Sequence, residues 1–184
     1  MMVTNSVSLL RFRLLGLVFL FFLALAYVEN TSFFVYISDS FTNPPLGVVL
    51  LFIHNVLAVS LIILGMAFYV EVVLTFMPKR KIEYVVLQNP EVFAAVFAIM
   101  ILLISILRAS TLVKGQVDVS TLAMVILLSL PAGLIEGYGI FQAIKKTLKK
   151  SLQTKDLALI YGIFFVAAAV EVGFVQALLW ISAA

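Results

Sequence analysis

Five residues of this chain carry chemistry in places that read as hydrocarbon: His54, Asn55, Glu71, Glu136 and Glu171. Each lies in a long apolar run. A charged group at a bilayer centre costs at least about 2.5–3.5 kcal/mol on insertion scales, so each needs a partner or a hydrated cavity. Carboxylates with a histidine can line a pathway for protons or a substrate. The plainer reading makes His54 and Asn55 hydrogen-bonding links between helices, worth about 1 kcal/mol each. Polar contacts to another subunit are a third use, and Glu71 can also snorkel toward an interface.

No catalytic constellation accompanies them. The chain has one histidine and no cysteine, and no serine sits in a Gly-x-Ser-x-Gly elbow. No HExxH or comparable ligand spacing occurs, and no glycine loop is built to cradle phosphate. A non-enzyme without cofactor or metal is expected, and no nucleic-acid partner.

The elements that must position these residues follow from composition. Hydrophobic residues make up 64% of the 184 and charged residues 11%, against about 45–50% and about 25% in ordinary soluble domains. A soluble domain of this size has too little interior for so much apolar surface, so lipid is the expected solvent. The apolar runs predict an all-α, single-domain bundle of five transmembrane helices, at about 9–28, 46–76, 91–107, 119–144 and 157–181. The first of these also fits a secretory signal peptide, with Arg11 and Arg13 before an apolar core, but is read as a retained helix. Residues 29–45 read as an outer loop holding the sequon Asn30-Thr31-Ser32, and residues 82–88 as a brief interfacial segment.

The loop charges set the expected orientation. With the N-terminus inside, ten basic residues are internal: Arg11, Arg13, Lys79, Arg80, Lys81, Lys145, Lys146, Lys149, Lys150 and Lys155. Only Arg108 and Lys114 fall outside, which predicts a cytoplasmic N-terminus and an external C-terminus in the cytoplasmic membrane. Lys79, Arg80, Lys81, Lys145, Lys146, Lys149 and Lys150 are read as topogenic, with attraction to anionic headgroups as the other use.

Depth follows from a rise of about 1.5 Å per residue. His54 then lies about 13 Å below Pro45 and Glu171 about 16 Å below Ser182, while Glu71 and Glu136 lie about 12–13 Å from Lys79 and Lys145. The arithmetic sorts His54, Asn55 and Glu171 into an outer set, and Glu71 and Glu136 into an inner one.

Leu130-Pro131-Ala132-Gly133-Leu134-Ile135-Glu136-Gly137 puts a helix breaker beside a carboxylate. Pro131 removes a backbone donor and crowds the Leu127 carbonyl, so the fourth long helix is expected to kink or break there. Gly133 and Gly137 form a close-packing patch, and Ala169, Gly173 and Ala177 form a second small-residue seam. Helix breaks beside buried carboxylates also make midplane sites in transporters, although a packing kink is the simpler reading.

With these residues in view the chain resembles the stage II sporulation protein M family. The resemblance rests on Phe52-Ile53-His54-Asn55 with Gly65 ten residues on, and on Leu130-Pro131-x-Gly133-x-x-Glu136, where Ala132 stands in place of a frequent histidine. It covers the second helix to the fifth. It implies a non-catalytic membrane scaffold or assembly subunit; the namesake is thought to anchor and recruit peptidoglycan-degrading enzymes. The expected function is accordingly a scaffold touching lipid and either copies of itself or other membrane proteins. The alternative is a permease or channel-type component using His54, Glu136 and Glu171.

Overall fold

The computed structural model describes residues 6–40, 43–76, 81–114 and 119–183. Those residues form six helices: α1 (Ser6–Ser40), α2 (Pro44–Phe76), α3 (Lys81–Gln88), α4 (Pro90–Lys114), α5 (Val119–Leu148) and α6 (Thr154–Ala183). The fold is all-α. Five of these helices are long, 25 to 35 residues, and the segment 81–88 is a helix in its own right.

Several helices outrun their expected ends. No glycine or proline occurs between Gly16 and Pro44, so nothing stops α1 before Ser40, and the stretch read as an outer loop is mostly helix. Prolines open the following elements. Pro44 begins α2 and Pro90 begins α4, positions where the missing N–H costs nothing because no intrahelical acceptor exists there. Pro131 does not break the helix: α5 is continuous through it. The lost donor and the crowded Leu127 carbonyl are absorbed locally, as hydrophobic helices with packed neighbours allow.

α2 and α5 form the centre. α2 packs on α1, α5 and α6, while α5 packs on α4 and α6. The largest core cluster joins Val59, Ile63 and Val70 of α2 to Ala94 and Ala98 of α4, Ile140 and Ile144 of α5, and Ile160 and Phe164 of α6. α1 lies against α2, with Phe19 and Phe68 stacked at 6.2 Å between centroids. Gly65 lets Phe19 approach; a Cβ built there would stand 3.4 Å from its ring. Outward faces are strongly apolar, with Leu14, Leu17, Phe21, Val92, Ile99, Leu159 and Trp180 all exposed.

Among the described residues, two helical stretches are long and apolar enough to cross a membrane, Pro44–Leu74 and Thr154–Ala177, where the sequence predicts five. Pro90–Ile106 is a shorter apolar helix.

The small-residue seams are redistributed. Gly137 faces Leu102 of α4, but a Cβ at Gly133 would meet nothing within 4 Å. On α6, Ala169, Gly173 and Ala177 are exposed, and a Cβ at Gly173 would meet nothing within 4 Å. The close contact of α5 with α6 is made instead at Gly139, against Phe164 and Ile163.

The α5–α6 turn is held by specific caps. Lys150 takes a positive φ of 53°, its N–H bonds the Thr147 carbonyl and the Ser151 N–H bonds the Lys146 carbonyl, each at 3.0 Å. This is a Schellman termination with lysine where glycine is favoured. Lys150→Gly is therefore expected to raise stability by about 1 kcal/mol, read as a higher thermal midpoint in detergent. A lower midpoint would mean that the Lys150–Glu71 pair, at 4.0 Å, outweighs the strain. On the other side, Gln153 caps α6 and its N–H donates to Asp156 Oδ2 at 3.0 Å, half of a capping box.

Candidate functional site

The adjacent residues His54 and Asn55 differ by about 100° around α2, so they address different neighbours. Asn55 turns into the bundle. It is 8% exposed, and its Nδ2 donates to Glu136 Oε1 of α5 at 2.7 Å. Glu171 of α6 shares a cavity wall with Glu136. Both carboxylates open onto one cavity of about 220 Å³, whose other walls include Leu102, Ser105, Leu130 and Gly133. That volume holds several waters, or a small cation with part of its shell.

His54 turns the other way, toward α1. Its Nδ1 lies 3.0 Å from Glu29 Oε2 and 3.2 Å from Glu29 Oε1. Their side chains keep 27% and 17% of their exposure. This pair borders a second, wider cavity of about 770 Å³ between α1 and α2, also lined by Tyr27, Ala58, Leu61 and Ser105.

The depth sorting is thus corrected. Glu136, assigned to the inner set, meets Asn55 and Glu171 of the outer one, while His54 leaves that set for Glu29. The lysine that reaches Glu71, 4.0 Å away, is Lys150, five residues beyond the depth mark Lys145. Counted from the Glu71–Lys150 contact, Asn55 lies about 24 Å up α2 and Glu136 about 21 Å up α5, which brings them together.

Glu71 stands apart from the acid pair, 38% exposed beside Lys150. The lysines of the last turn of α5 find carboxylates. Lys145 and Lys149 reach Glu91 Oε1 at 3.0 and 2.7 Å, Lys145 also lies over Phe141 at 5.4 Å, and Lys146 reaches Asp156 at 2.9 Å. The Asp156 carboxyl is held below its ordinary pKa, by Lys146 first and the Gln153 N–H second. The cluster ties α4, α5 and α6 at one end, so these lysines are occupied within the protein. Lys79 and Arg80 lie outside the described residues, and Lys81 opens α3.

Among the described residues no three metal-ligating side chains gather. Two carboxylates and one amide fall short of the roughly six to eight oxygens of a calcium site. They suit a proton, a small monovalent cation or an amine. No protein-family model, no curated protein and no solved structure matches the chain. Its own geometry carries the functional reading.

Sequence reasoning missed Glu29, which it assigned to a loop, and Ser105, an ordinary serine in an apolar run. It also missed the link from Ser60 Oγ to the Tyr161 hydroxyl at 2.9 Å, which joins α2 to α6. For Glu29 the signal was available: no helix breaker separates it from the apolar run before it, so it belongs to α1.

Proposed function

We propose that this chain is an integral membrane protein of five spans, N-terminus cytoplasmic and C-terminus external, which binds a proton or small monovalent cation at Glu136 and Glu171 as a permease or channel-type component. The observation that carries the reading is that Glu136 and Glu171 border one cavity, with Asn55 bonded to Glu136 behind it. Two carboxyl groups bordering one small cavity in a low-dielectric setting need protons or a cation to offset their charge. A pair built only as interhelical glue needs no adjoining space. The apolar outward faces and the excess of basic residues on alternate segments support the membrane topology.

In proteoliposomes the wild-type chain is expected to dissipate an imposed proton or sodium gradient. Glu136→Gln abolishes that flux while the purified variant stays folded, because glutamine keeps an acceptor for Asn55 but carries no charge. Flux unchanged by the substitution, or none in the wild type, sinks the reading.

One observation favours the scaffold that the resemblance to the stage II sporulation protein M family implies. Gly162, Ala169, Gly173 and Ala177 lie on the exposed side of α6, and a Cβ at Gly162 or Gly173 would meet nothing within 4 Å. In lipid, such smooth faces associate through close backbone packing. On this reading the chain is a homo-oligomer, and Gly173→Leu shifts it to monomer in mild detergent. A strictly monomeric wild type with no co-purifying membrane protein removes it.

A further inference from the structure

We infer that the two cavities are parts of one water-accessible route, running from the Glu29–His54 groove past Ser105 of α4 to the Glu136–Glu171 pair. The inference deepens the cation-binding reading by giving its site an approach.

Three features converge on it. The first is the shared wall: Ser105 lines both the groove of about 770 Å³ and the cavity of about 220 Å³. The second is the polarity at each end. Glu29 and His54 border the groove, and Glu136 and Glu171 border the inner cavity. A carboxylate at both ends and a hydroxyl at the junction supply oxygens along the whole path. A serine hydroxyl both donates and accepts, so it can serve water or a cation from either side. The third is α2 itself: His54 borders the groove, and its neighbour Asn55 holds Glu136, which borders the inner cavity. One helix thus holds a polar group at each space, although each costs free energy in hydrocarbon.

The groove is also the wider and less enclosed of the two spaces. Its walls are partly solvated polar atoms at Glu29 and His54 and apolar side chains such as Leu61 below them. A cation met first by Glu29 exchanges water for carboxylate oxygen there, then passes the Ser105 wall to the paired carboxylates. The direction of approach is from the end of α1 that carries Glu29.

The chain lacks cysteine, so Ser105→Cys introduces one near-isosteric thiol with no competitor. The whole chain is placed in lipid nanodiscs, where both faces meet a charged quaternary-ammonium methanethiosulfonate reagent. Leu103→Cys is the control: Leu103 is on the same helix, 55% exposed, and lines neither cavity. Ser105→Cys is expected to react at least about tenfold faster than Leu103→Cys, because the thiolate is the reactive form and a thiol in hydrocarbon stays protonated. Ala58→Trp, which fills the groove, is expected to slow Ser105→Cys by a similar factor.

Equal rates at the two positions, or a Ser105→Cys rate indifferent to Ala58→Trp, overturn the route. Labelling does not depend on what the acid pair binds. Rapid labelling with no flux in any variant keeps the route and removes the cation reading. Flux sensitive to Glu136→Gln with no labelling does the reverse.

Discussion

Asn55→Leu is expected to destabilise the chain by about 1–3 kcal/mol, and adding Glu136→Leu to restore most of that loss. The asymmetry decides the size. The hydrogen bond from Asn55 Nδ2 to Glu136 Oε1, at 2.7 Å, is worth little by itself, since interhelical bonds in membrane bundles average about 0.6 kcal/mol. Removing only the donor leaves a carboxyl in an apolar setting without its amide, and that desolvation is the larger cost. Leucine closely matches asparagine in size, so cavity formation adds little. With Glu136→Leu also present, the orphaned group is gone and two apolar side chains meet across α2 and α5. Glu136→Gln alone sits between these cases, at under about 1 kcal/mol, because its amide oxygen still accepts from Asn55.

The cycle is read from unfolding in mixed micelles on the full chain. A single-mutant loss near 0.5 kcal/mol with no recovery in the double mutant would mean that water in the adjoining cavity already solvates Glu136, and that the helix junction owes nothing to the pair. The same four variants in proteoliposomes separate structure from function. Asn55→Leu with Glu136→Leu is expected to be stable and without flux, since the bundle is mended while a carboxylate is missing.

The long apolar runs were legible because a span demands about 20 apolar residues and nothing else in a chain this short supplies them. The helix ends were not. The sequence reading stopped α1 at Glu29 because that residue is charged, but only glycine or proline opposes a helix strongly enough to end one. Helix α4 runs on through Arg108 for the same reason. At Pro131 local propensity argues for a kink or a break, and α5, packed against α4 and α6, runs through without the break. The candidate site was half legible. Asn55, Glu136 and Glu171 stand out as polar residues in apolar runs, but their meeting depends on the register of α2 against α5. That register is set by packing and by Glu71 lying beside Lys150, which no count from the nearest basic loop residue can supply. Glu29 and Ser105 gain their places only once α1 and α4 are set around α2.

Glycine spacing is the clearest case of pattern outrunning contact, and it yields the second large effect. Gly139→Leu is expected to cost about 3 kcal/mol or more, whereas Gly133→Ala, inside the motif that drew attention, is expected to stabilise by about 0.5–1 kcal/mol. At Gly139 a Cβ would stand 2.9 Å from Phe164 Cε2, 3.2 Å from its Cζ and 3.3 Å from Ile163 Cγ2. Phe164 is 3% exposed within the main core cluster, so its ring has nowhere to turn and α6 must move outward. Moving it strains the contacts of Ile160 and Val172 as well, both nearly inaccessible. At Gly133 nothing lies within 4 Å, and alanine simply removes the entropy penalty of glycine in a helix. Gly137 is intermediate. Its Cβ would meet Leu102 Cδ1 at 2.7 Å, but that methyl is the far end of a flexible side chain bordering the inner cavity, into which it can rotate. Thermal unfolding of the three variants in one detergent ranks them. Should Gly133→Ala prove as damaging as Gly139→Leu, Gly133 must face a helix outside this chain, and the self-associating surface would include α5 as well as α6.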